Sequence, residues 1–313
     1  MLVFTVFGRK RGSMSRRHRA LAVLVAVVWG VNFVVIDEGL AGVPPLLLVA
    51  VRFTLVALPL VAVVPRPDAP WRTVVAVGAF MSLGQFSLLY LGIHLGMPPG
   101  LASLVLQAQV VATVALARIV LGERPTRRQL AGALVGTAGL AVVALARGLS
   151  SPALPLLLTL GAAVSWAIGN VISRRARVRS GLSLVVWSAL VVPVPSLALS
   201  LLVDGPDTVG RVLAHPPVSA VLATVYTVYG ASLLGYAVWN GLLARYPAGA
   251  VVPYVLLVPP VGIIAAWMLQ GETPGGVELV GGAVMLLGVA AATLPPRRRV
   301  TEPDGAAPAA RLP

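Results

Sequence analysis

A few amide side chains stand inside long apolar stretches of this chain, where bulk water cannot satisfy them. They are Asn32, Gln85, Gln107, Gln109, Asn170 and Asn240. An amide in an apolar environment needs a hydrogen-bond partner, which is either a neighbouring helix or a water-filled cavity. Each of these residues therefore has two interpretations: it joins two helices, or it lines a cavity that binds a polar molecule.

Arg52 is the residue best suited to bind an anion. It follows Pro45 by seven positions, so in a helix it lies about 10 Å inside its apolar stretch. A charge at that depth usually faces the protein interior, and a guanidinium matches a carboxylate with two parallel hydrogen bonds. A clamp for a substrate carboxylate is one interpretation. A structural pair with Asp37 or Glu38, or a side chain that extends outwards to the interface, is the other.

Aromatic side chains stand at similar depth. Trp29 and Trp166 lie away from the ends of their apolar stretches, although tryptophan in membrane proteins collects at the interfaces. Tyr236 places a hydroxyl group in the same kind of environment. These side chains either line a pocket or fill the core.

The sequence contains no constellation typical of catalysis or metal binding. It lacks the His-Glu-x-x-His zinc motif, the phosphate-binding loop and any pair of carboxylates inside an apolar stretch. His18, His94 and His215 stand at the ends of such stretches. The absence of cysteine excludes thiolate chemistry and cysteine-ligated zinc. We therefore predict no enzymatic activity, no catalytic residue, no metal and no cofactor.

The composition is that of a membrane protein. Hydrophobic residues make up 58% of the 313 positions and charged residues only 11%, against about half and about a quarter in soluble domains. Apolar runs of this length do not fit together in a soluble core of this size. The net charge of +14 would suit nucleic acid, but the arginines stand in short segments beside apolar runs. The predicted partner is the lipid bilayer and not nucleic acid.

Ten apolar stretches, separated by Gly, Pro and charged residues, are candidates for membrane-spanning helices. They cover residues 20–38, 45–64, 72–94, 99–121, 129–147, 153–173, 182–203, 216–239, 247–270 and 277–295. Pro253, Pro259 and Pro260 predict an interrupted helix in the ninth. The predicted fold class is an all-α membrane protein with ten transmembrane helices.

Basic residues predict the orientation of these helices. With the N-terminus in the cytoplasm, 20 of the 24 Lys and Arg residues fall on the cytoplasmic side, and only Arg147 and Arg211 fall outside. The positive-inside rule then predicts a multi-pass protein of the bacterial inner membrane with both termini in the cytoplasm. The basic stretch before residue 20 resembles a signal peptide, but no small-residue cleavage site follows it. Met14 is an equally good start, which would leave residues 1–13 as a leader.

The chain also repeats itself. Residues 98–141 recur 149 positions later, so that Gly-Glu-Arg-Pro at 122–125 falls on Gly-Glu-Thr-Pro at 271–274. A weaker repeat relates Trp29 to Trp166. Ten helices in two repeats give five helices in each, and an odd number makes the second repeat enter the membrane from the opposite face. Inverted repeats of this kind are typical of secondary transporters.

Four regions follow from this pattern. They are a basic cytoplasmic leader (1–19), a first five-helix repeat (20–148), a second five-helix repeat (152–295) and a cytoplasmic tail rich in basic residues, Pro and Ala (296–313). The glycines of the fifth and tenth stretches, which include Gly139 and Gly288, permit close helix contacts. We interpret them as packing residues.

Several segments together resemble a known family. They are WGVNFVVI at 29–36, GMPPGLASLVLQAQ at 96–109, SWAIGN at 165–170, VWSAL at 186–190 and LLVPPVG at 256–262. These segments resemble the drug/metabolite transporter superfamily in its ten-span, two-repeat branch, and most closely the bacterial exporters of cysteine and O-acetylserine. The resemblance implies a monomer that works without ATP, with a central cavity between the first four helices of each repeat.

The depth of the polar residues and the resemblance lead to one predicted site. Its members, which we expect to face a central substrate cavity, are Asn32, Arg52, Gln107, Trp166, Asn170 and Tyr236. The predicted function is export of a small amino-acid-like metabolite, with cysteine and O-acetylserine first, by alternating access. Pro99 and Asn240 differ from the residues expected in those exporters, so efflux of another amino acid or a hydrophobic cation is the alternative. A membrane scaffold or a lipid-head-group enzyme is the alternative of another class.

Overall fold

The computed structural model describes residues 14–146, 153–176, 178, 180–246 and 248–293. Within these ranges all regular structure is helical and no β-strand is present. The predicted all-α class is therefore confirmed for the described part of the chain. The predicted leader up to residue 13 and the tail from residue 296 lie outside the described residues.

Short breaks divide the chain into helices of very different length. Residues 16–146 contain α1 (Arg16–Gly39), α2 (Pro45–Val61), α3 (Trp71–Val77), α4 (Gln85–His94), α5 (Pro99–Val105), α6 (Ala108–Leu121) and α7 (Arg127–Ala146). Residues 153–293 contain α8 (Ala153–Ala176), α9 (Gly181–Ala189), α10 (Pro193–Val203), α11 (Pro206–Ala214), α12 (Val218–Val225), α13 (Gly235–Arg245), α14 (Ala248–Val251), α15 (Val258–Gln270) and α16 (Gly276–Thr293).

Several of these helices, alone or joined, are long and apolar enough to cross a bilayer. In the described part of the chain there are seven: Arg16–Gly39, Trp71–His94, Pro99–Leu121, Ala153–Ala176, Gly181–Val203, Val218–Leu242 and Pro253–Gln270. Pro45–Val61 and Gly276–Ala291 are apolar but shorter. A chain with so many helices of this kind is a multi-pass integral membrane protein.

Not every predicted stretch is one regular α-helix. The ninth is interrupted by the 3₁₀ segment Val252–Leu257, which follows the short helix α14, as its prolines predict. The fourth is interrupted between α5 and α6, and the seventh between α9 and α10, where Pro193 begins the second piece. The eighth was predicted to end at residue 239 but continues to Arg245. The short helix α11, an amphipathic segment that hydropathy alone did not predict, lies between α10 and α12.

Two segments of π-helix are the main departure from regular structure. The first π segment, Gly78–Gly84, joins α3 to α4, and the second π segment, Tyr226–Leu234, joins α12 to α13. A π turn contains one extra residue and is frequent at functional sites. In both segments a backbone carbonyl accepts a side-chain hydrogen bond from another helix. Ser165 Oγ donates to Phe80 O at 2.7 Å, and Trp29 Nε1 donates to Ala231 O at 2.9 Å.

The long helices pack in pairs across the molecule. α1 packs against α15 and the second π segment, and α8 packs against α6, α4 and the first π segment. α2 packs against α10, and α7 packs against α16. The largest hydrophobic cluster, which we call the main core, draws on α1, α2, α4 and α5, with Ile36, Val49, Tyr90 and Ala102 fully buried. α8 also contributes to this core through Ala162 and Ala163, so the helices that carry Asn32, Arg52 and Trp166 pack around it.

Small residues allow the closest of these pairs. A Cβ added at Gly139 on α7 would collide with the Met285 backbone on α16, and one added at Gly288 would collide with the Gly136 backbone. Neither position has room for a side chain. The predicted packing role of these glycines is therefore confirmed.

Candidate functional site

Arg52 lies in the middle of the apolar face that α2 turns towards the main core. Val49, Phe53 and Val56 stand at helical spacing around it, and all of them are buried. The Arg52 side chain is itself only 3% exposed. Because isolated charges are expensive to bury, the groups that surround this guanidinium decide what the site can bind.

The partners of the Arg52 guanidinium are hydroxyl groups and aromatic rings. Nη1 donates to the Tyr90 hydroxyl at 2.9 Å, and Nη2 donates to Ser232 Oγ at 3.3 Å. The guanidinium carbon lies 4.5 Å from the centre of the Phe86 ring and 5.6 Å from that of Phe53. Nε is buried and has no hydrogen-bond partner. Cation–π contacts and neutral acceptors stabilise the charge but leave it uncompensated.

The alternative of a structural ion pair is wrong. Gln270 Nε2, at the end of α15, donates to Asp37 Oδ2 at 2.7 Å and to Glu38 Oε1 at 2.9 Å. These two carboxylates therefore join the ends of α1 and α15 and do not reach Arg52. The burial of Arg52 also excludes an extended side chain at the interface. Among the described residues no carboxylate forms an ion pair with it, so its charge is available to an anion.

The second π segment holds one wall of the site. Ser232, which accepts from Arg52, donates its own proton to Thr227 O at 2.8 Å, five residues back, as the wider turn of a π-helix allows. The preceding carbonyl, Ala231 O, accepts from Trp29 on α1. The Tyr226 hydroxyl donates to Val28 O at 3.0 Å. Three polar contacts thus hold α1 and Arg52 against one distorted stretch of helix.

Two more predicted residues lie at this wall. The Tyr236 ring is 5.8 Å from the Trp29 ring. Asn32 follows Trp29 by one helical turn, so both face the same side of α1. Asn32 is 8% exposed, and its Oδ1 is buried without a hydrogen-bond partner. We refer to Trp29, Asn32, Arg52, Ser232 and Tyr236 as the Arg52 site.

The other three predicted residues belong to a second region between α6 and α8. Asn170 Nδ2 donates to Gln109 Oε1 at 3.1 Å, so this amide joins two helices. Trp166, one turn earlier on α8, packs against the main core. Gln107 is buried at the break between α5 and α6. In the described part of the chain, no hydrogen bond or ring contact connects these three residues to Arg52.

The sequence analysis missed Tyr90, Phe86 and Ser232. A tyrosine four residues before the end of α4 and a serine in the middle of a broken helix look ordinary in an apolar stretch. One signal was present, because a guanidinium inside a membrane requires hydrogen-bond acceptors, but the apolar stretches contain many hydroxyl residues. A search for them would have produced candidates but not their pairing.

Comparison with known proteins agrees with this architecture. The family model of the EamA-like transporter family matches residues 19–145 and 153–294. The chain is 44% identical to a probable amino-acid metabolite efflux pump of Salmonella typhimurium and 40% identical to one of Escherichia coli, in each case over 88% of this chain and 94% of the relative. A protein of known crystal structure is 25% identical and superposes with a TM-score of 0.62, over 91% of this chain and all of that protein. The resemblance to drug/metabolite transporters is therefore confirmed, and the chain belongs to the EamA-like transporter family.

Proposed function

We propose that this protein exports small amino acids of the cysteine and O-acetylserine type from the cytoplasm by alternating access. One observation carries the proposal: Arg52 is a buried cation with neutral partners, in a site formed by four helical elements. A carboxylate is the group that would complete it, and every free amino acid has one. The relatives named as amino-acid metabolite efflux pumps support the same substrate class.

The proposed topology has ten spans, with α11 at the surface and both termini in the cytoplasm. The polar contacts at helix ends support it, because each joins ends that this topology puts on one side. Glu123 after α6 pairs with Arg174 on α8 at 3.2 Å. His18 Nδ1 lies 2.7 Å from the Tyr246 hydroxyl, which joins the start of α1 to the end of α13. The contact of Gln270 with Asp37 joins two outer ends.

The two inverted repeats, residues 20–148 and 152–295, are part of the same proposal. The packing supports it, since α1 contacts α15 and the second π segment as α8 contacts α6 and the first. The ends of α6 and α15 also match in detail. Gly122 and Gly271 have φ of 67° and 69°, the left-handed conformation that favours glycine at a helix end. The next residues, Glu123 and Glu272, donate to the carbonyls of Ala117 and Ala266, each at 3.3 Å.

Arg52 would couple substrate binding to movement of the helices. Its two hydroxyl partners lie on different groups of helices, Tyr90 on α4 beside α8 and Ser232 on the second π segment beside α1. A substrate carboxylate would replace both hydroxyls with a stronger, charge-assisted pair. The substrate would then connect the two groups of helices in place of the hydrogen bonds from Arg52 to Tyr90 and Ser232. The two groups could therefore separate on one side of the membrane or the other.

The outer ends of the helices are closed in this conformation. Ile36 on α1, Leu48 on α2, Ile93 on α4 and Leu101 on α5 are all buried in the main core. In the proposed orientation these side chains lie between Arg52 and the outside. Export from a bacterial inner membrane requires that the substrate reach Arg52 from the cytoplasmic side in one state of the transporter. A monomer is sufficient for this mechanism, since one chain supplies every wall of the site.

Transport by the purified protein in liposomes tests the proposal. We expect counterflow of labelled L-cysteine and O-acetyl-L-serine, and its loss in Arg52→Ala. Arg52→Lys should retain less than about a tenth of the rate, because an ammonium keeps the charge but not the two-pronged geometry. Arg118→Ala is the matched control, since Arg118 is an exposed arginine near the end of α6, and it should transport normally.

Two results would contradict the proposal. Normal transport by well-folded Arg52→Ala would remove the carboxylate clamp. Transport of a lipophilic cation, with no response to any amino acid, would favour the alternative substrate. Reporter fusions after residues 150 and 205 test the topology separately, and we expect both positions outside.

A further inference from the structure

Two buried polar atoms in the Arg52 site lack a hydrogen-bond partner, and they are of opposite kinds. Arg52 Nε is a donor and Asn32 Oδ1 is an acceptor. Buried polar groups in native proteins are almost always satisfied. Two buried atoms without partners in one site indicate that a ligand forms hydrogen bonds with them in another state of the protein.

The helices bring these two residues to one place. Arg52 donates to Ser232, and the preceding residue, Ala231, accepts from Trp29. Trp29 and Asn32 lie one turn apart on α1, and Phe33 and Ile36 on the same face enter the main core that also contains Phe53. α1 and α2 both pack against the second π segment and α4, so Asn32 and Arg52 lie on two helices that share these neighbours.

We propose that Asn32 Oδ1 accepts a hydrogen bond from the α-ammonium group of the amino acid whose carboxylate binds Arg52. This inference rests on the proposed function and identifies the residue that would bind the ammonium group of the same substrate. An α-amino acid carries its cation and its anion on the same carbon, so it needs one acceptor and one donor side by side. The site would thereby select free α-amino acids over N-acylated derivatives and simple carboxylic acids.

A neutral amide suits this task better than a carboxylate. An aspartate in the same position would pair with Arg52 and cancel the charge that binds the substrate. The amide instead offers an acceptor while Arg52 stays positive. Most other polar groups near the wall are already engaged, since the Ser232 and Tyr226 hydroxyls donate to backbone carbonyls and the Trp29 indole donates to Ala231 O.

Three ligands test the ammonium contact separately from the carboxylate contact: L-cysteine, N-acetyl-L-cysteine and 3-mercaptopropionate. All three keep the thiol and the carboxylate, but only L-cysteine has a free α-ammonium group. With wild-type protein in liposomes, we expect L-cysteine to compete for labelled L-cysteine about 10- to 100-fold better than the other two, as for loss of one charge-assisted hydrogen bond. In Asn32→Leu this preference should disappear, while Arg52→Ala should lose all three ligands.

The outcomes distinguish the two proposals. If wild-type protein binds none of the three ligands, the proposed function itself is wrong. If wild-type prefers L-cysteine and folded Asn32→Leu keeps that preference, the role of Asn32 is overturned. Should Asn32→Leu not fold, Asn32→Ala provides the same test, because it removes the acceptor without adding bulk. Its loss of the ammonium preference would support the assignment, and its retention of that preference would contradict it.

Discussion

The two π segments show one backbone feature used in two ways. At the first, Phe80 O accepts from the Gln85 backbone N–H and also from Ser165 Oγ, and the surrounding contacts are made by small residues. Gly169 lies against the Met81 backbone, and Gly84 lies against Ser165. The result is a tight, mostly apolar contact between α8 and the first π segment.

The second π segment has the same kind of carbonyl contact but a different surrounding. Ala231 O accepts from Trp29, and the next residue, Ser232, accepts from Arg52. An added Cβ at Gly230 would meet no atom closer than 3.9 Å, whereas one at Gly235, directly after the segment, would lie 2.6 Å from Trp29 Nε1. The packing is therefore open at Gly230 and close where the Trp29 indole lies. The comparison teaches that a distortion shared by two parts of one fold supports packing in one and polar recognition in the other. Four experiments sharpen it.

Alanine in place of glycine should separate the two segments most strongly. A Cβ at Gly169 would lie 2.6–2.9 Å from Met81 atoms, two of them backbone, so Gly169→Ala should cost about 1–3 kcal/mol of stability. Gly230→Ala has room and should be neutral or stabilising by up to about 1 kcal/mol. Thermal unfolding in detergent, followed by size-exclusion fluorescence, measures both. Equal losses in the two variants would show that the segments are packed alike.

The paired serines should differ in function. Ser232→Ala removes an acceptor that holds the Arg52 guanidinium in position before the substrate binds. From this loss of positioning we expect an export rate lower by about tenfold. Ser165→Ala removes only the donor to Phe80 O. It should lower stability but leave the rate per folded molecule unchanged. Initial rates in liposomes, normalised to folded protein, test this difference, and a slower Ser165→Ala would contradict it.

Removing the indole N–H should affect the second segment more modestly. Trp29→Phe keeps an aromatic ring beside Tyr236 but leaves Ala231 O without its side-chain donor. We expect a stability loss of about 1 kcal/mol. We also expect a several-fold loss of export, because the Trp29 contact holds the part of α1 that carries Asn32 against the second π segment. Thermal unfolding and transport should change together. A change in stability with unaltered export would place Trp29 in packing alone.

Charges away from both segments should matter least. Glu123 and Arg174 form an ion pair at 3.2 Å, with side chains 43% and 56% exposed. Such exposed pairs contribute about 0.2–1 kcal/mol. A double-mutant cycle with Glu123→Gln and Arg174→Gln should therefore give a coupling energy in that range. A coupling above about 2 kcal/mol would mean that this contact stabilises the observed arrangement of α6 and α8.

Much of the fold follows from local properties of the chain. Runs of apolar residues predict the long helices, and Pro253 and its neighbours predict the broken start of the ninth stretch, because proline removes a backbone donor. The π segments were not predicted. Neither Gly78–Gly84 nor Tyr226–Leu234 has a composition that separates it from α-helix. In the structure each segment accepts a hydrogen bond from a side chain of another helix, and such partners are not encoded in the segment itself.

Local properties of the chain also pointed to only some of the residues around Arg52. Depth in an apolar stretch is a local property, and it selected Arg52 and Asn32, which are buried, and Tyr236, whose ring lies beside that of Trp29. Asn170 is at comparable depth but forms an amide pair with Gln109. Depth alone does not distinguish a polar group that joins helices from one that awaits a ligand.

By itself, the sequence determined that this chain is an all-helical membrane protein of the EamA-like family with a buried arginine that needs an anion or a set of acceptors. Hydropathy and charge act along the chain and need no knowledge of neighbours. Only the tertiary structure decided that the acceptors are Tyr90 and Ser232, which are 38 and 180 residues away from Arg52. Hydrogen bonds act over about 3 Å, so their partners are chosen by how whole helices pack and not by any pattern that a single helix carries.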